Sequence, residues 1–181
     1  SWTNLGGSAA ASANSVLLKD SPVGWSVNDD VVICPKQAIT DLGREKTIPL
    51  FERVKITSVS GSSISIDKSL MHNHTKVEPN GSGKSWTAEV LNLQRNVMIE
   101  GTETGKSHVF IKSTLPQIIK NVAFRYLGPR TENIGRYALH FHHCQNGSIG
   151  SIVENCVAYD QGSHCFVPHT SHGITFKNCV A

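Results

Sequence analysis

The sequence predicts an all-β chain: a parallel β-helix preceded by a small β-rich segment of hairpin or barrel-like character. Three observations predict it. The first is an internal repeat. One shift of the sequence lays SIVENCVA (Ser151 to Ala158) on ITFKNCVA (Ile174 to Ala181). A fixed period of this size marks stacked supersecondary units. The second is a series of asparagines, Asn96, Asn121, Asn155 and Asn178, at similar short strands. The step from Asn121 to Asn155 is the long one, and the other two are nearly equal. The third is local composition. The apolar runs are short and β-branched, with Gly, Asn, Ser and His between them. They lack the i, i+3, i+4, i+7 spacing of a helical repeat. One turn of a parallel β-helix takes roughly 20–25 residues, and stacked turns lie about 4.8 Å apart. The alternative is a β-sandwich in which the similarity is accidental.

The elements follow in order. Residues 1–15 are small and polar, and Trp2 and Leu5 are their candidate anchors. Val16-Leu17-Leu18 and Val31-Val32-Ile33 read as strands, with a turn at Ser21 to Trp25. Pro35 to Pro49 shows no β alternation and reads as a short helix or long loop. Val54 to Thr57 and Ile64 to Asp67 alternate apolar and polar around Ser60-Gly61-Ser62-Ser63, the pattern of a β-hairpin. Met71 to Ser85 reads as a loop in which His72 and His74 are exposed. Gly81 to Ser85 lacks the full spacing of a phosphate loop. These features place a β-rich segment over residues 1–85 and the β-helix over 86–181. Ala88 to Leu93 would lead into its first turn.

From Val97 on, the candidate strands are Val97-Met98-Ile99, Val109-Phe110-Ile111, Ile118-Ile119, Val122-Ala123-Phe124, Leu139-His140-Phe141, Ile152-Val153, Cys165-Phe166-Val167 and Ile174-Thr175-Phe176. The long asparagine step holds GPRTENIGR, which reads as a loop projecting from one turn. Asparagine tolerates left-handed backbone geometry, so equivalent corners could stack as a ladder. The chain stops inside a strand at Cys179-Val180-Ala181. An uncapped solenoid end exposes sheet edge and core. The expectation is therefore a truncated solenoid, continued by further turns or covered by another subunit.

Composition narrows the function classes. The 181 residues are 39% hydrophobic and 17% charged, so the chain is globular and lightly charged. No apolar run approaches the roughly 18 residues of a membrane span, and the first residues lack the pattern of a signal peptide. Residues 1–90 carry 9 Lys+Arg against 9 Asp+Glu, and residues 91–181 carry 8 against 5. Seven of the nine histidines lie in the second half. That bias suits an anionic partner, but no Lys/Arg cluster with interleaved aromatics points to nucleic acid. Five cysteines leave at least one unpaired within the chain, and none forms a CxxC motif. Cys156 and Cys179 should stack, as buried thiols or as a disulfide across adjacent turns.

Gly135 to Ala181 holds six histidines and the residues that could carry chemistry. Alternation along Tyr137 to His143 puts Leu139, Phe141 and His143 on one face and His140 and His142 on the other. With Leu139 and Phe141 in the core, His140 and His142 point outward side by side. His164 follows His140 by about one turn of the stack. The candidate catalytic residues are His140, His142 and His164. The candidate substrate-binding residues are Arg136, Tyr137, Asp160 and His169. Imidazoles can serve as general acid or base near neutral pH, and Arg136 can pair a substrate carboxylate. Two other readings stay open: a stack of structural or surface histidines, and a transition-metal site. No metal ligand and no cofactor is assigned at this point. No pair of carboxylates suits ordinary glycoside hydrolysis.

The order WTNL, SPVGWSVNDDVVI, VKITSVSG, ISIDKSL, AEVLNLQRNVMIEG, GRYALHFHHC and NCVAYDQGSHCFVPHTSHGITFKNCVA resembles a group of extracellular parallel β-helix proteins. The group includes the fibrocystin-like proteins, the cell-migration-inducing hyaluronan-binding protein, the cell-surface hyaluronidase and bacterial relatives. The resemblance covers nearly the whole chain and is most specific in AEVLNLQRNVMIEG and GRYALHFHHC. It implies a right-handed β-helix and secretion or surface display. In some members it implies binding or depolymerising hyaluronan, and others have no known enzymatic role. Gly135, Arg136, Tyr137, His140 and His142 match the GRYxxHxH pattern. Asn28-Asp29-Asp30 departs from the usual glycine-acidic turn. The expected partner is an acidic polysaccharide, and the alternative is a non-catalytic adhesive module of a larger surface protein.

Overall fold

The computed structural model describes residues 1–35, 50–130 and 135–181. Most of the Pro35 to Pro49 segment and the middle of the GPRTENIGR loop, Glu132 included, lie outside these residues. The described chain divides into two compact units, Ser1–Gln94 and Arg95–Ala181.

The first unit is a six-stranded antiparallel sheet. Its strands are β1 (Trp2–Asn4), β2 (Ser15–Leu17), β3 (Asp30–Ile33), β4 (Glu52–Ser60), β5 (Ser63–Ile66) and β6 (Glu89–Asn92), in the order β1-β6-β3-β4-β5-β2. Alternation explains its core: Val31, Ile33, Val54, Ile56, Ile64, Ile66 and Val90 are all buried. The β4–β5 hairpin pairs Ser60 with Ser63, and Gly61 supplies a left-handed residue in the short loop between them, φ +59°. Two elements differ from expectation. Within the small polar stretch 1–15, where the sequence predicts no strand before Val16, Trp2–Asn4 forms a strand that pairs with β6. The alternating run at Ala88 to Leu93 does not open the solenoid: β6 pairs with β1 and β3. Period-2 alternation marks a half-buried strand without saying which sheet it joins.

His74 also departs from its sequence reading. It is only 1% exposed. Its Nε2 lies 2.9 Å from the Glu52 carboxylate and its Nδ1 lies 3.1 Å from the Cys34 carbonyl. The backbone amides of Met71 and His72 donate to the same carboxylate. A buried acid needs such a complete set of partners.

The second unit coils. Its strands are β7 (Val97–Glu100), β8 (Val109–Ile111), β9 (Ile118–Lys120), β10 (Val122–Arg125), β11 (Leu139–Gln145), β12 (Ile152–Glu154), β13 (Val157–Tyr159), β14 (Phe166–Ser171) and β15 (Thr175–Lys177). Every third strand pairs, always in parallel. The three sheets run β13-β10-β7, β14-β11-β8 and β15-β12-β9. The chain therefore visits three faces in turn, the connectivity of a three-sided parallel β-helix. Handedness aside, this is the architecture that the asparagine spacing predicts.

The asparagine steps coincide with sheet register. Val97 pairs with Val122, the step from Asn96 to Asn121. Ala123 pairs with Val157, the step from Asn121 to Asn155, and Ile152 with Thr175, the step from Asn155 to Asn178. Asn121, Asn155 and Asn178 all adopt left-handed geometry, with φ +58°, +55° and +50°. Asn121 joins β9 to β10, and Asn155 separates β12 from β13, so each turns the chain from one face to the next. The backbone amides of Asn121 and Asn155 donate to the carbonyls of Glu154 and Lys177 in the next coil.

Inside the coil, Phe124, Leu127, Leu139, Phe141, Cys144, Val153, Cys156 and Ala158 form the core. All five cysteines are free thiols. Cys156 and Cys179 direct their thiols at the carbonyls of Glu154 and Val153 respectively, 3.4 Å away in each case. Small thiols satisfied by backbone carbonyls fill the interior, and no disulfide forms between these coils.

Candidate functional site

The site grows from β11. Leu139 and Phe141 are buried on the inner face, and His140 and His142 share the other. The alternation then fails. His143 adopts φ +51°, as does Gln145, and the pairing with β14 becomes irregular between His142 and Gln145. His143 is consequently exposed rather than in the core, which corrects its expected place beside Leu139 and Phe141. A bulge breaks the period of two and re-aims the side chain.

His140 is not an outward surface residue either: it is fully buried. Aromatic rings from three coils cover it. Its ring centroid lies 4.9 Å from Tyr137, 5.6 Å from Phe110 on β8 and 5.7 Å from His169 on β14. The His140 and His169 rings are nearly parallel, 11° apart. The Nδ1–H of His140 donates to the Gly135 carbonyl at 2.8 Å, which leaves Nε2 as the lone-pair nitrogen. That Nε2 lies 3.3 Å from Nδ1 of His142.

Register decides which histidines meet. His142 pairs with His169 in the next coil, and His140 pairs with Val167. His169 is thus the rung partner of the pair. His164 instead packs its ring on Tyr137, 5.3 Å between centroids, and Tyr137 stands between it and His140. The His143 ring lies 4.3 Å from His142 and 4.6 Å from His169. The ligand nitrogens of His140, His142 and His169 all lie within 4.8 Å of one another. Among the described residues these are the three side chains on this face that could hold a metal.

The local electrostatics favour the neutral forms of His140 and His142. Burial lowers the pKa of His140, the Gly135 carbonyl opposes that, and His142, His169 and His108 lower it further. Slight desolvation, His143, His169 and Lys112 lower that of His142.

Two other residues proposed from the sequence lie outside the imidazole cluster. Arg136 is exposed next to Tyr137. Asp160 follows β13, on a different sheet from the imidazoles. Its carboxylate pairs with Arg125 Nε at 3.1 Å, and the Arg125 guanidinium lies 4.2 Å from the Tyr126 ring centroid. Phe110 and Lys112 join the site, although the sequence motifs do not single them out. The alternation of Val109-Phe110-Ile111 is the available signal, since it sends Phe110 outward. An open cleft of about 810 Å³ adjoins the imidazoles, lined by Lys112, Ser113, Thr114, His143, Gln145 and Asn146 among others.

Comparison with known proteins places these features in context. Residues 103–181 match the family model described as CEMIP beta-helix. A G8 domain-containing protein of Dictyostelium discoideum is 24% identical over 186 residues, covering 99% of this chain and 12% of that protein. Solved structures with similarity include the tailspike gp49 of Pseudomonas phage LKA1, with 14% identity, a TM-score of 0.36 and coverage of 99% of this chain and 28% of that one. They also include the Gp54 tailspike of Acinetobacter baumannii bacteriophage AP22 in complex with A. baumannii capsular saccharide. That match has 13% identity and a TM-score of 0.36, covering 99% of this chain and 34% of that one. Among the described residues no helix is long and apolar enough to cross a membrane. Over residues 103–181 the chain matches the CEMIP beta-helix family, the group that its GRYALHFHHC and NCVA segments resemble.

Proposed function

We propose that this chain is an extracellular, right-handed β-helix module that binds an acidic polysaccharide of the hyaluronan type. The observation that carries the reading is the outer face of the β8–β11–β14 sheet. There Phe110, Tyr137, His142 and His169 present ring surfaces, the exposed Lys112 follows β8, and the exposed Arg136 precedes Tyr137 in the chain. The C–H faces of sugar rings are apolar and pack on aromatic rings. Uronic carboxylates pair with guanidinium and ammonium groups. The excess of three positive charges in residues 91–181 acts in the same direction. His142 and His169 reach solvent, and the His142 imidazole, held toward its neutral form, can take a proton from a bound hydroxyl. The buried His140 supports them from behind, and His164 extends the face past Tyr137.

A second reading, an adhesive module without turnover, has one specific observation in its favour. Glu154 and Asp160, the two acids of residues 135–181, are both held in ion pairs with basic side chains. A hyaluronan oligosaccharide titration, with a neutral glucan as control, tests binding. A Lys112→Glu/Arg136→Glu variant should lose hyaluronan binding; undiminished binding by the variant overturns the placement. A reducing-end assay on the wild type separates turnover from adhesion.

A further inference from the structure

The imidazole wall has the geometry of a ligand set, whether or not a glycan binds there. We propose that His140, His142 and His169 form a three-imidazole site for one divalent transition-metal ion, zinc(II) foremost, with a coordination position open to solvent.

Distance supports it first. Two nitrogen ligands on a tetrahedral zinc, each about 2.0–2.1 Å from the ion, stand roughly 3.3–3.4 Å apart. Nε2 of His140 and Nδ1 of His142 are 3.3 Å apart. His169 already shares a rung with His142, so the third nitrogen converges by side-chain rotation at the surface.

Orientation supports it next. The Gly135 carbonyl accepts the Nδ1–H of His140 and leaves Nε2 facing His142. A backbone carbonyl on the far nitrogen is the usual outer partner of a metal-bound histidine. A plain His–His hydrogen bond would account for the separation of those two nitrogens alone. It would not call for a third ring brought in by strand register.

The donor set selects the ion. Imidazoles suit zinc, nickel, copper and cobalt, whereas magnesium and calcium need oxygen ligands. His140 is buried behind the site, while His169 is exposed, so the open position faces solvent beside His143 and Lys112. Three protein ligands and one open position is the arrangement in which zinc binds and activates water.

The test uses the chain purified without a polyhistidine tag and stripped with a chelator. Zinc sulfate is titrated by calorimetry, and cobalt(II) is substituted to read its visible d–d bands. The expected result is one equivalent of zinc, cobalt bands of a low-coordinate nitrogen site, and a higher melting temperature with zinc. His169→Ala changes an exposed residue and should weaken zinc by at least the roughly 10–100-fold that losing an outer-shell partner costs. His172→Ala removes an exposed imidazole outside the cluster and should bind as the wild type does. No zinc uptake by the wild type, undiminished affinity in His169→Ala, or equal loss in both variants overturns the proposal. Glycan binding measured on the metal-free protein is a separate readout, so either proposal can fail without the other.

Discussion

The Nδ1–H of His140 points at the carbonyl oxygen of Gly135, 2.8 Å away, from a glycine at φ +112°. That φ is open to glycine and strained for a residue with a Cβ. Gly135→Ala should therefore destabilise the chain by about 1–2 kcal/mol. It should also release the His140 ring from its single tautomer. Urea unfolding reads the first effect and nitrogen NMR of the imidazoles reads the second. A variant with unchanged stability and an unchanged His140 tautomer would show that the carbonyl contact does not position the ring.

Asn155 turns the chain between two faces at φ +55°. Glycine shares its tolerance of this region and valine does not. Asn155→Val should cost about 1–2 kcal/mol more than Asn155→Gly. The comparison needs only denaturant midpoints, and equal midpoints would mean that the corner relaxes without strain.

Glu154 sits on one rung between Lys120 and Lys177, with contacts of 2.8 and 3.1 Å. Those two lysines hold its carboxyl below the ordinary range. Glu154→Lys would stack three ammonium groups on adjacent coils. Its melting temperature should fall, and added salt should restore part of the loss by screening. A salt-independent loss would point to packing instead of charge.

Glu52 is buried against His74 in the first unit. Burial by itself would raise its carboxyl. The Met71 amide, His74 and the His72 amide outweigh that and hold it below the ordinary carboxylate range. The folded carboxyl therefore stays ionised at a pH where the unfolded one takes up a proton. Its stabilisation is complete above the unfolded pKa and is lost as pH falls through the folded one. Glu52→Gln should be less stable at neutral pH and show a shallower acid limb in pH-dependent unfolding. Glu52→Ala leaves His74 buried without its partner and should cost about 3–5 kcal/mol. An acid limb identical to that of the wild type would remove Glu52 from the account.

Much of the solenoid is legible because its signals are local. Asn121, Asn155 and Asn178 each mark a corner by their own conformational tolerance, so their spacing reports the coil. Val109-Phe110-Ile111 and Leu139-His140-Phe141 carry their inward and outward faces in their alternation. His143 escapes that logic because a bulge at positive φ leaves no mark in the hydrophobic pattern. His74 escapes it because its partners, Glu52 and Cys34, are far away in the sequence.

The amino-acid pattern alone reveals that the second half coils and where one corner of the coil recurs, at Asn121, Asn155 and Asn178, because backbone tolerance and apolar alternation act within a few residues. The corners at Tyr126, His143 and Asp160 carry no such mark. Which side chains meet is settled by how the coils close on one another. The offset between paired strands is shortest at Ile152 and Thr175, longer at His142 and His169, and longest at Ala123 and Val157. The lengths of the connections within each coil set the offset at each rung, so one face carries both a short step, Ile152 to Thr175, and a long one, Ile118 to Ile152. The rung that joins His169 to His142, and leaves His164 against Tyr137, exists only once the loops have closed.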